Sequence, residues 1–182
     1  MRWFWRFYLR LAGWNASLSN PWAHLRKFVI IVGPHTSNWD FVILLAYRSV
    51  LGLQSGFLGK KELFVPPFGF IFRKLGGIPV DRKQSTNLVD DVVKIVEGRD
   101  TFIIALSPEG TRKKVDKLKT GFYFIAAKAR IPIVMVGLDY KNKTIHCSEP
   151  LMPSDQARDF ETIFDFYRRI EGRHPEKGLM HM

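Results

Sequence analysis

The sequence predicts an α/β protein, a single-domain αβα sandwich around a mostly parallel sheet. Three observations predict it. Short runs of β-branched and other apolar residues alternate with segments of helical spacing. The strand-like runs are apolar on both faces, as strands are when helices cover both sides of a sheet. The chain has 182 residues, 46% of them hydrophobic. That is one domain, able to bury roughly 70% of its extended-chain surface without disulfide staples.

The elements follow in order. At the N-terminus, Arg2, Arg6 and Arg10 recur every fourth residue. On a helix they share one arc of about 80°, and Trp3, Phe4, Trp5, Phe7, Tyr8, Leu11 and Trp14 fill the rest. Arg6 and Arg10 interrupt the apolar stretch and no small-residue cleavage site follows, so the segment is not read as a signal peptide. Residues 28–32 form a continuous β-branched run, a strand buried on both faces and ended by Gly33-Pro34. Ser37 or Asn38 caps a helix that runs to Gly52. Residues 55–58 are a short second strand, followed by a Pro-rich segment around Pro66-Pro67, and residues 78–80 are a third strand. Residues 87–96 have helical spacing and stop at Gly98. Residues 101–106 make a fourth strand, broken at Pro108, and residues 120–130 a helix rich in Ala and aromatics. Residues 131–138 and 144–147 are strand-like, and 155–171 read as a last amphipathic helix ending at Gly172.

Charge narrows the function classes. Twenty-eight Lys and Arg against seventeen Asp and Glu give a net +11. Residues 154–182 contribute −1, so residues 1–153 carry +12. A basic body attracts phosphate, in nucleic acid, on a membrane surface or in a small ligand. The single Cys147 excludes an intramolecular disulfide and a Cys-rich zinc framework. The five histidines are scattered with no His-Glu-x-x-His, so no metal site is expected. No run of eighteen apolar residues exists to form an ordinary spanning helix. No nucleic-acid-binding motif accompanies the charge, so nucleic acid is not an expected partner.

In open parallel sheets, ligands bind beyond the carboxyl ends of strands. Two polar clusters follow such ends: residues 33–40, after the first strand, and residues 107–112, after the fourth. In the first, a loop-to-helix turn brings Asp40 within reach of His35. The carboxylate can then fix one imidazole nitrogen and leave the other as a base. The Ser37-x-x-Asp40 spacing equally fits a helix cap, with His35 an ordinary loop residue. In the second, Glu109-Gly110-Thr111-Arg112 sets a flexible turn between an acid and a guanidinium whose planar fork suits phosphate. Arg82 is a further base at the end of a strand, while Lys113 to Lys119 read as a solvated loop.

Taken together, these clusters resemble the glycerolipid acyltransferase superfamily, the family of bacterial lysophosphatidic acid acyltransferases. Residues 35–40 match its His-x4-Asp block, and residues 107–112 its Pro-Glu-Gly-Thr-Arg block. Gly76-Gly77-Ile78-Pro79-Val80-Asp81-Arg82, with the upstream Lys60-Lys61-Glu62-Leu63, is similar to the second block. Ile131-Pro132-Ile133-Val134 is similar to the fourth, so the resemblance spans residues 28–138. Ser107 departs from the pattern, standing where the family usually has an aromatic residue. Lys113 replaces a small polar residue, and Met135-Val136 stands where a second proline is common.

The resemblance implies an acyltransferase-like fold and transfer of a fatty acyl group from acyl-CoA or acyl-carrier protein. The acceptor is the hydroxyl of a lysophospholipid such as 1-acylglycerol-3-phosphate. His35 would be the general base and Asp40 its orienting partner. Arg82, Glu109, Gly110, Thr111 and Arg112 would bind the acceptor, with no cofactor beyond the thioester co-substrate and no metal. A thioester is already activated, and the chain agrees in lacking a Gly-x-Ser-x-Gly nucleophile elbow. Residues 1–14 are then expected to be an amphipathic helix at the surface of a membrane with anionic lipids, and residues 15–182 a single acyltransferase domain. The expected location is cytoplasmic, peripheral on the inner face of the cell membrane.

Overall fold

A computed structural model describes residues 2–16, 21–80 and 88–181. A first helix, α1 (Arg2–Leu11), leads through a two-residue strand β1 (Asn15–Ala16) to β2 (Lys27–Gly33). Then come α2 (Trp39–Leu51), β3 (Gly56–Lys60), α3 (Gly69–Lys74), β4 (Gly77–Val80), α4 (Leu88–Glu97) and β5 (Phe102–Leu106). The chain ends with α5 (Gly121–Ala129), β6 (Ile133–Asp139), β7 (Thr144–Cys147) and α6 (Gln156–Arg168). The strands form one seven-stranded sheet in the order β1-β7-β6-β2-β5-β3-β4. All pairs are parallel except β6 with β7. Helices α2 to α5 connect the consecutive strands from β2 to β6, since a tight hairpin cannot link parallel strands.

The sheet buries both faces, and alternation along β2 decides which residue goes where. Phe28, Ile30 and Val32 meet Leu9 and Trp14 of the N-terminal segment and Ile43, Ala46 and Val50 of α2. Val29 and Ile31 meet Val92 and Val96 of α4, Phe122 and Ile125 of α5, and Ile163 and Tyr167 of α6. Each large side chain fully buried this way contributes about 1.5–3 kcal/mol. The result is the expected αβα sandwich.

The structure moves several boundaries. β6 begins two residues later than expected, because Ile131 and Pro132 belong to the loop after α5. The last helix stops at Arg168 rather than running to 171. Additional elements among the described residues are β1, too short to show periodicity, α3, hidden behind the Pro66-Pro67 pair, and the 3-10 turns Lys61–Phe64 and Pro175–Lys177. The N-terminal helix ends at Leu11, short of residue 14. It lies on the domain, with Leu9 buried and Arg2 Nη2 donating to Leu51 O at 2.8 Å.

The central pairing positions the site. β2 and β5 are neighbours, with Ile31 opposite Leu106. The loops leaving their carboxyl ends, residues 34–38 and 107–112, therefore emerge side by side.

Candidate active site

Asp40 organises the first loop. It is completely buried in the first turn of α2. Its Oδ2 accepts the Thr36 N–H at 2.9 Å and the Ser37 N–H at 2.8 Å. Ser37 Oγ in turn accepts the Trp39 N–H at 3.2 Å, so only the carboxylate half of a capping box, Asp40 to the Ser37 N–H, is formed, and the N-cap Asn38 makes no side-chain bond. The same Oδ2 lies 3.0 Å from His35 Nδ1. The bond to the Ser37 N–H and the imidazole contact, drawn from readings that were alternatives in the sequence, are both present on one oxygen. A carboxylate only accepts, so Nδ1 carries the hydrogen and the neutral ring keeps its lone pair on Nε2.

The other carboxylate oxygen is held from a distance in sequence. Tyr140 Oη donates to Asp40 Oδ1 at 2.6 Å. Burial, reinforced by this bond to the carboxylate, pushes the Tyr140 phenol well above its ordinary value, so it remains a donor. Tyr140 directly follows β6. The signal that could have found it is the rule already applied to β2 and β5, since it too sits beyond the carboxyl end of a strand.

Glu109 comes from the loop after β5 and is 2% exposed. Its Oε2 and Oε1 face the His35 backbone N–H at 2.8 and 3.1 Å, and Ser107 Oγ donates to Oε2 at 3.0 Å. Ser107, one of the departures from the family pattern, thus supports this carboxyl. Burial pushes the Glu109 carboxyl up to about 7, against the opposing pull of the His35 and Ser107 bonds. Glu109 therefore braces the backbone beneath the imidazole.

The remaining expected residues spread over this loop. Gly110 turns the chain at φ 65, a conformation that favours glycine. Thr111 is exposed, and its Oγ1 accepts the Lys113 N–H at 3.3 Å. Arg112 is exposed and lines a cavity of about 440 Å³ together with residues 36–39 of the His35 loop. Arg173, His174 and Lys177 complete the lining. None of these three carries a sequence signal, because the C-terminal portion reads as a mixed-charge amphipathic segment. Arg82 lies outside the described residues. Among the described residues no group of three or more His, Cys, Asp or Glu is placed to hold a metal ion.

The arrangement is a buried carboxylate, an imidazole it orients, and a cationic cavity alongside. His35 does not itself line the cavity, which begins at the adjacent Thr36; an oriented imidazole of this kind can take a proton from a hydroxyl, and the cavity's charge suits an anionic group.

Comparison with known proteins bears on this geometry. The acyltransferase family model matches residues 21–139. Over 113 residues the chain is 30% identical to the 1-acyl-sn-glycerol-3-phosphate acyltransferase of Haemophilus influenzae, covering 59% of this chain and 46% of that one. It is 32% identical over 117 residues to the chloroplastic 1-acyl-sn-glycerol-3-phosphate acyltransferase BAT2 of Brassica napus, covering 60% and 32%. The chain spans less than half the length of these curated relatives. The crystal structure of the 1-acyl-sn-glycerophosphate (LPA) acyltransferase PlsC from Thermotoga maritima shares the fold. Its TM-score is 0.61 at 19% identity, over 89% of this chain and 74% of that one.

Proposed function

The chain belongs to the acyltransferase family, and from that membership we propose that it moves a fatty acyl group from a thioester to the hydroxyl of a lysophospholipid. The donor is acyl-CoA or acyl-carrier protein, and the acceptor is of the 1-acylglycerol-3-phosphate type. The observation that carries the reading is His35 Nδ1 held at 3.0 Å by the buried Asp40, with Arg112 on a cavity lined by the same loop.

In this reading His35 Nε2 takes the proton of the acceptor hydroxyl as its oxygen attacks the thioester carbonyl. The tetrahedral intermediate collapses, the C–S bond breaks, and the imidazolium returns the proton to the departing thiolate. Asp40 steadies the imidazolium while it exists, and Tyr140 and the Thr36 and Ser37 amides keep Asp40 in place. Glu109 fixes the His35 backbone, so the ring stays in the geometry that proximity catalysis needs. Arg112 meets the acceptor phosphate, and we assign Arg82 to the same anion from the resemblance of its block alone.

The substrate is a bilayer component, so residence at a membrane surface favours the reaction. We assign that role to α1, which places the protein peripherally on the inner, cytoplasmic face of the cell membrane. Support comes from its outward side. Trp3 and Leu11 are 78% and 76% exposed, Phe4 and Phe7 are also exposed, and Arg6 and Arg10 flank them. Such a mixture suits the headgroup boundary of an anionic leaflet.

The test is a panel assay. Purified protein is mixed with acyl-CoA or acyl-carrier protein and with lysophospholipids of different headgroup, and products are identified by mass spectrometry. A diacyl phospholipid formed from the phosphate-monoester acceptor is expected. Failure to acylate any lysolipid from either donor overturns the proposal.

A further inference from the structure

Part of the cationic cavity comes from chain that lies beyond the family-matched residues 21–139. We propose that Arg173 and Lys177, on the C-terminal segment, join Arg112 in binding the phosphate monoester of the acceptor, so that this segment selects for phosphate-bearing acceptors. The inference rests on the acyl-transfer reading and names the recognition element of its acceptor.

The segment is tied down across the His35 loop. Tyr167 Oη donates to Ile31 O of β2 at 2.8 Å. Ile170 and Leu179 are 2% and 1% exposed, so both ends of the crossing are buried. The Tyr140 N–H donates to Glu171 O at 2.8 Å. Gly172 lies so close to the loop that a Cβ there would come within 3.0 Å of Thr36 and 3.2 Å of Pro34. The His174 N–H then donates to Thr36 Oγ1 at 3.2 Å. These anchors grip residues beside His35, so they register the segment to the reacting centre.

What the segment presents is positive charge. The Arg173 guanidinium lies 5.6 Å from the centre of the Trp39 ring, a cation–π contact on the residue next to Asp40. Arg112 and Arg173 have no ion-pair partner among the described residues. Lys177 Nζ and His174 Nδ1 share Glu176, at 3.8 and 3.7 Å from its Oε1. Residues 154–182 are net −1, so this gathering of cations is local and not a consequence of composition. The two nearby buried carboxylates, Asp40 and Glu109, are already engaged by hydrogen-bond donors. A phosphate monoester, with its high charge and several free oxygens, matches two planar guanidinium forks and an ammonium.

Location selects the acceptor over the donor. In a 1-acylglycerol 3-phosphate, adjacent carbons carry the reacting hydroxyl and the phosphate ester, so the anion must sit beside the base. The 3′-phosphate of CoA is far from its thioester.

The test uses the full chain with Arg173→Gln, Lys177→Gln and Arg173→Lys, each checked for folding by circular dichroism. The probes are 1-hexanoylglycerol 3-phosphate and neutral 1-hexanoylglycerol, with acyl-CoA and acyl-dephospho-CoA as donors. Calorimetry measures acceptor binding without turnover. Arg173→Gln is expected to weaken binding of the phosphate acceptor about tenfold or more and to reduce the preference over the neutral acceptor by a similar factor. Arg173→Lys recovers part of it. An unchanged dissociation constant in folded Gln variants overturns the inference, as does an equal loss toward both acceptors. A KM effect with acyl-CoA that vanishes with acyl-dephospho-CoA reassigns the cations to the donor and also overturns it. A wild type that binds the phosphate acceptor through Arg173 but never acylates it would sink the acyl-transfer reading and leave this site standing.

Discussion

Replacing Glu109 by Gln tests whether that carboxyl is a strained but useful brace. Burial lifts it from 4.5 to about 7, despite donors from His35 and Ser107 that favour the charged form. At roughly 1.4 kcal/mol per pH unit, the shift corresponds to about 3 kcal/mol. The sign follows from proton uptake. Between pH 4.5 and about 7 the folded protein holds this proton and the unfolded chain has released it. Stability from this group is therefore greatest in acid and is lost as pH rises through that window. Glutamine keeps a carbonyl oxygen for the His35 N–H and cannot ionise. Urea unfolding of both proteins between pH 4.5 and 8 should show the variant gaining on the wild type by about 3 kcal/mol across the window. A stability difference that stays constant with pH would refute the assignment of a buried, proton-holding Glu109.

Three further outcomes follow from named contacts. Asp40→Asn places an amide N–H against one of four donors and removes the negative charge behind the imidazole, so kcat should fall about 10²-fold or more, measured as a full pH–rate profile. Tyr140→Phe strips the donor from the buried Asp40 Oδ1 and should cost about 1.5–3 kcal/mol in denaturant unfolding; a neutral result would show that water replaces the phenol there. Trp3→Glu with Phe7→Glu alters only the outward side of α1, so the protein should stay folded and bind anionic vesicles at least about tenfold less tightly; retained co-sedimentation would dismiss the anchor.

Much of the sheet was legible because its strands are unusually uniform. Residues 28–32, 101–106 and 131–138 are apolar on both faces, which is the mark of a covered parallel sheet, and all three are strands near its centre. The antiparallel turn of β7 was not legible, since direction is set by pairing with β6 and leaves no trace in four residues. The short α3 leaves no signal, because six residues after two prolines are too few to show a helical period.

The site divided in the same way. His35 and Asp40 are five residues apart, and both of their alternative roles could be read from local spacing. Glu109 could be named from its loop, yet its contact with the His35 backbone depends on β2 and β5 being neighbours. Tyr140 and Arg173 are brought in by long-range packing through β6 and the chain after α6. A lone tyrosine after a strand, or an arginine after a helix, looks like any surface residue until the fold supplies its neighbours.

As the proposed base for acyl transfer to a lysophospholipid hydroxyl, His35 should be indispensable to turnover. The direct measurement is kcat for transfer from acyl-CoA or acyl-carrier protein to 1-acylglycerol 3-phosphate, wild type against His35→Ala, with product followed by mass spectrometry. His35 is partly exposed and its Nδ1 supplies only one of the four contacts to Asp40, so the variant should fold, as near-ultraviolet circular dichroism can verify. The folded variant should lose about 10²–10⁴-fold in kcat. Turnover by folded His35→Ala within a few-fold of wild type would contradict it.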